Sequence, residues 1–158
     1  MMNSDSIIIT SPRVGRSSGF IYCIYISDPM PIVYIGETAA KNGPLGRLSG
    51  HMQENGTFLQ KCEKKSVDIT KIKNNIVMLT VELNDYPDFC GEANKSNRRA
   101  IEYFVDMCME EYSVADETTI PFDVVSKTKI AKRYALNSEY QKLGDEIARL
   151  FYSQLPFQ

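Results

Sequence analysis

Apolar residues along this chain fall in short runs separated by turn chemistry, and the runs differ in period. Residues 20–26 (FIYCIYI) form a continuous aromatic and β-branched run, which predicts a strand. Alternation sets Phe20, Tyr22, Ile24 and Ile26 on one face and Ile21, Cys23 and Tyr25 on the other. Ser27-Asp28-Pro29-Met30-Pro31 is turn chemistry, and residues 32–35 read as a second strand, expected to pair antiparallel with the first. Residues 75–83 (NIVMLTVEL) predict a third strand, and Pro87 and Gly91 break the chain after it. A short strand is also expected at 7–10.

Three helices are expected. Residues 45–55 form a short one, with Arg47 and His51 four apart on one face and Gly56 as its stop. Residues 93–112 carry Ile101, Phe104, Val105 and Cys108 at the spacing of a buried stripe. Glu102 sits one position off that stripe, in line with Arg98 and Asp106. Residues 138–155 close the chain, with Leu143, Ile147, Leu150 and Phe151 as the apolar face and Ser138 and Gln141 at capping-box spacing. Residues 61–73 read as a basic connector, and 113–136 show no period.

The chain of 158 residues suits one domain, 1–158, large enough to bury a core. No apolar stretch approaches the ~18–20 residues of a membrane helix, and no secretory signal is visible, so a cytoplasmic, non-membrane protein is expected. The four cysteines lack a CxxC pair and there is one histidine, which argues against a zinc site and for reduced, mostly buried thiols. Lys plus Arg number 18 against 20 Asp plus Glu, a net charge of −2. That balance does not itself point to nucleic acid. The charges are unevenly spread, however. Seven bases against three acids occupy 41–73, four bases and no acid occupy 127–133, and six acids and no base occupy 102–117.

The chemistry-bearing residues follow one order. Gly19-Phe20-Ile21-Tyr22 precedes Val33-Tyr34-Ile35-Gly36-Glu37, then Arg47-Leu48-Ser49-Gly50-His51, then Glu102 on the long helix. This resembles the GIY-YIG nuclease superfamily over residues 19–105. The resemblance implies an α/β (α+β) fold in which a small, three-stranded, mainly antiparallel sheet is flanked by helices, with 106–158 as a C-terminal helical extension. It implies a metal-dependent endonuclease acting on DNA, of restriction, defence or repair type, with Glu102 holding Mg²⁺ or Mn²⁺. Two departures stand out. Phe20 occupies the usual glycine position, and the asparagine many members carry after the glutamate has no counterpart at Val114-Ala115-Asp116. Asn137, the next one along, sits beside a predicted helix start, where capping is the expected role.

The residue types fit that chemistry. A hard divalent cation takes one or two carboxylates plus phosphate oxygens, which suits Glu102. Arg47 suits a phosphate clamp. Tyr22 and Tyr34 are the base candidates; Tyr22 is favoured, with Tyr34 orienting water or phosphate, and His51 either accepts the proton onward or fixes the hydroxyl by a hydrogen bond. Gly36 would let a phosphate approach the backbone. Lys41, Lys61, Lys64, Lys65, Arg98 and Arg99 are candidate contacts to the nucleic-acid backbone. Cutting both strands of a duplex would favour a homodimer. The alternatives are an inactive nucleic-acid-binding module of the same fold, and a protein-interaction domain using the acids at Glu110-Glu111 and Asp116-Glu117.

Overall fold

A computed structural model describes residues 11–72, 75–114 and 120–156. Its centre is strand β1 (Phe20–Ile26), which lies between β2 (Ile32–Thr38) and β3 (Val77–Glu82), antiparallel to both. Both faces of β1 are covered, which is why its sequence is apolar without interruption. The predicted hairpin forms in the register Ile26↔Ile32 to Phe20↔Thr38.

Three layers result. On one face of the sheet, α1 (Gly43–His51) and α2 (Thr57–Lys64) cover Tyr22, Ile24 and Ile26. On the other, α3 (Lys95–Tyr112) and α4 (Ser138–Tyr152) cover Ile21, Cys23, Val33 and Ile35. Helices α3 and α4 cross so closely that a Cβ on Gly144 would stand 2.5 Å from Cβ of Phe104. Among the described residues no helix is long and apolar enough to cross a membrane.

Among the described residues the sheet has four strands, not three. A two-residue strand, β4 (Asp123–Val124), runs parallel to β2 alongside Ile32 and Val33, giving the order β3-β1-β2-β4. It lies in the stretch without period, since two residues are too few to show one. The expected basic connector begins as the end of α2, whose turns bury Phe58 and Cys62, four apart, and leave the lysines outside. Gly56 accordingly opens α2 as its N-cap rather than stopping α1. A Cβ there would fall 2.1 Å from the carbonyl oxygen of His51, so the tight link between the two helices requires glycine. Leu150, assigned to the apolar face of α4, is exposed; Ala148 takes its place in the core. Asn137 caps α4, its side-chain oxygen accepting from the N–H groups of Glu139 and Tyr140 at 3.1 and 3.0 Å. All four thiols are free, with Cys23 and Cys62 buried and the other two half-buried. The expected strand at 7–10 lies outside the described residues.

Candidate active site

Tyr22 stands directly opposite Gly36 across the β1–β2 ladder, and Tyr34 lies one pair further along on the same face. The Tyr22 ring is laid across β2. A Cβ on Gly36 would meet its Cζ and Oη, both at 2.3 Å. The space that the missing side chain leaves is therefore filled by the phenol, which corrects the expectation that Gly36 leaves room for a phosphate. The two tyrosine rings are near-parallel, with centroids 6.4 Å apart.

Helix α1 closes over this pair. His51, 3% exposed, places Nε2 2.8 Å from the Tyr22 hydroxyl and its ring edge-on to Tyr34 at 4.9 Å. One turn earlier, the positive charge of Arg47 acts on both phenols. The spacing of four that put Arg47 and His51 on one helical face thus brings both to the tyrosines.

Burial sets the protonation states. It pulls His51 down to about 4, helped by the positive charge of Arg47, so the imidazole is neutral near pH 7. With the ring proton on Nδ1, Nε2 accepts from the Tyr22 hydroxyl; with it on Nε2, the imidazole donates to that hydroxyl. Burial pushes Tyr22 above the ordinary phenol range, and Tyr34 up to about 12 with Glu102 adding to the effect. Burial alone would weaken the charged form of Arg47, but Tyr22, Tyr34 and Glu37 outweigh it and raise its pKa.

Glu102 approaches from the other layer. Strand β4 covers β2 only at Ile32 and Val33, so α3 can present a carboxylate at the strand edge beyond. Residues Arg98, Glu102 and Asp106 form one row along α3; Glu37 of β2 engages the first, and residues 126–128 engage the other two. The Glu102 Oε1 accepts from the Thr128 hydroxyl at 2.5 Å. Asp106 accepts from the Ser126 hydroxyl at 2.5 Å and from the Thr128 N–H at 3.2 Å. The Ser126 oxygen also accepts from the Ile35 N–H at 2.8 Å, continuing the β2–β4 ladder one step beyond β4. Burial raises Glu102 to about 7 and Asp106 to about 6; their hydrogen bonds oppose it, and their mutual repulsion adds to it in Glu102.

Arg98 leaves the nucleic-acid-binding set. It is 1% exposed, its Nε donates to Glu37 at 2.8 Å, and Nη1 donates to the carbonyls of Phe89 and Gly91 at 2.9 and 2.5 Å. It locks α3 to β2 and to the loop before α3. Arg99 is exposed and acts on Glu102, Lys41 is exposed just before α1, and Lys61, Lys64 and Lys65 sit on α2 and at its C-terminus. Sequence reasoning missed Glu37, Ser126 and Thr128. The spacing of four from Arg98 through Glu102 to Asp106 was the one visible signal of this network.

The donor set around Glu102 fits a magnesium-like cation. One carboxylate oxygen is held by Thr128, and the other accepts no hydrogen bond from a described residue. Among the described residues no group of three His, Cys, Asp or Glu side chains could encage an ion. Mg²⁺ takes one or two carboxylates and completes its shell with water and phosphate, whereas zinc would need more protein ligands. No protein-family model, curated protein or solved structure matches this chain.

Proposed function

We propose that this chain is a metal-dependent endonuclease that hydrolyses DNA phosphodiester bonds. The observation that carries the reading is the buried hydroxyl of Tyr22, which lies 2.8 Å from Nε2 of a neutral imidazole, beside a guanidinium and within the field of a half-buried carboxylate.

Tyr22 and His51 act as a relay. As water attacks phosphorus, its proton passes to the Tyr22 oxygen while the phenolic proton passes to His51 Nε2. A free phenolate is not required, which matters because burial disfavours one. A phosphodiester beside Arg47 offsets the positive charge that depresses His51 and raises its proton affinity. Arg47 holds a non-bridging oxygen, and Tyr34 orients the attacking water. Removing one such donor typically costs about 10²–10³ in rate. Glu102 would hold a divalent cation, which when bound would supply charge neutralisation at the phosphate and the leaving oxygen. A duplex cut on both strands calls for two copies of this site, hence a homodimer on the DNA.

The test is cleavage of long, diverse DNA with Mg²⁺ or Mn²⁺, with Glu102→Ala in parallel. Cutting that vanishes in the variant and in EDTA supports the reading. Cutting that persists in both overturns it. DNA binding with no cutting favours a second reading, an inactive binding module. One observation speaks for that reading: burial leaves Glu102 half-protonated near neutral pH.

A further inference from the structure

A groove of about 510 Å³ lies between α2, β4 and the C-terminal half of α3. Lys61, Lys64, Lys65 and Lys127 line it, against the acids Glu110 and Asp123. Lys65 is bound to Asp123 at 2.8 Å. The other three lysines have no carboxylate within ion-pair distance among the described residues. They come from two elements that wall the groove, Lys61 and Lys64 from α2 and Lys127 from the segment after β4.

We propose that this groove binds the phosphate backbone of DNA three to four nucleotides from the scissile bond. The inference rests on the nuclease reading for its position, and on two observations for its substance. First, Lys127 is chained between Ser126, which bonds Asp106, and Thr128, which bonds Glu102, so the groove and the carboxylate share one three-residue segment. Second, Glu110 lines the groove on the same helix as Glu102, eight residues on, or about 12 Å at the helical rise. Duplex DNA carries a phosphate every ~3.4 Å of axis on each strand, and 12 Å spans three to four of them. Ammonium groups on separate walls do not chelate one small anion; a linear polyanion meets them in succession. Lysines act as point charges without a base-reading fork, so this contact is sequence-independent.

The experiment is a salt titration of labelled duplex binding, read by fluorescence anisotropy in EDTA so that nothing is cut. The intact chain is compared with a triple variant, Lys61→Gln, Lys64→Gln and Lys127→Gln, and with an equal-charge control, Lys95→Gln, Lys132→Gln and Lys142→Gln. The groove variant should flatten the log–log salt slope by about 2.7 and weaken binding on the order of 10²-fold at 0.1 M salt. The control should change the slope by less than about 1. An unchanged slope in the groove variant, an equal loss in the control, or no salt-dependent binding by the intact chain each overturns the groove. Plasmid cleavage separates the two readings. Cutting without groove-dependent binding overturns the groove alone, and groove-dependent binding without cutting overturns the nuclease alone.

Discussion

Replacing Glu102 with glutamine should stabilise the protein at pH 8 and do little at pH 5. The carboxyl is raised from an ordinary 4.5 to about 7, mainly by burial. Its folded form therefore holds a proton that the unfolded chain releases. Stability from this group is fully present below pH 4.5 and is lost as pH rises through 7. Each tenfold change in proton affinity is worth about 1.4 kcal/mol, so the full loss is about 3 kcal/mol. Glutamine is a neutral isostere, and its side-chain oxygen still accepts from Thr128. The variant should gain about 3 kcal/mol at pH 8 and under about 1 kcal/mol at pH 5, where the unfolded carboxyl is only partly ionised. For a chain of 158 residues this means a Tm higher by about 6–12 °C at pH 8. Urea and thermal unfolding at pH 5, 6, 7 and 8 measure it. An equal gain at both ends of the range, or a loss at pH 8, would refute the burial argument. A gain in stability together with lost cleavage would mark Glu102 as a strained functional group.

Three further outcomes follow from the geometry. His51 is depressed from 6.5 to about 4, so stability from its neutral form is lost as pH falls through that window, opposing the two carboxyls. In His51→Gln, stability should keep rising from pH 7 down to pH 5; a curve parallel to the parent's would contradict the buried neutral imidazole. Arg98→Met strands the Glu37 carboxylate and two carbonyls, at a cost of about 3–5 kcal/mol in urea unfolding. An unchanged midpoint with weakened DNA binding would return Arg98 to the phosphate contacts. Gly36→Ala drives a methyl into the Tyr22 ring, at about 1–3 kcal/mol, and should cost about 10²-fold in plasmid cleavage by moving the phenol off His51. Full activity in the folded variant would show that the Tyr22–His51 contact is not used.

Much of this layout is legible in the sequence where one residue's environment is fixed by its own element. The run around Tyr22 is apolar on both faces because layers cover both, and a strand is the only short element that fits it. Arg47 and His51 share a face because helices repeat every 3.6 residues. What the chain does not announce is what that face meets. Arg98, Glu102 and Asp106 are equivalent by spacing, yet one is an internal strut, one is half-open and one is sealed. The difference comes from Glu37, Thr128 and Ser126, which approach from distant sequence. Strand β4 is two residues long and exists because β2 offers it an open edge. Helix α2 was masked by its lysines, since only Phe58 and Cys62 mark its inner side.

Glu102 and Asp106 of α3 also show why a single carboxylate would carry a metal here. Both are buried enough to be raised, and both receive hydrogen bonds from residues 126–128. Asp106 is 5% exposed and both of its oxygens are taken, one by Ser126 and one by the Thr128 N–H. Buried and bonded at both oxygens, it serves to fix the segment. Glu102 spends one oxygen on the Thr128 side chain and keeps the other. Because Asp106 holds the backbone of Thr128, the hydroxyl that orients Glu102 is itself held from one helical turn away. Such outer partners usually change metal affinity about 10–100-fold when lost. The same segment turns Lys127 outward to the groove and Ser126 inward to the edge of β2. A stretch without period or motif therefore joins the strand edge, the carboxylate and the basic groove, and its place in the site follows from four hydrogen bonds rather than from any pattern in its own sequence.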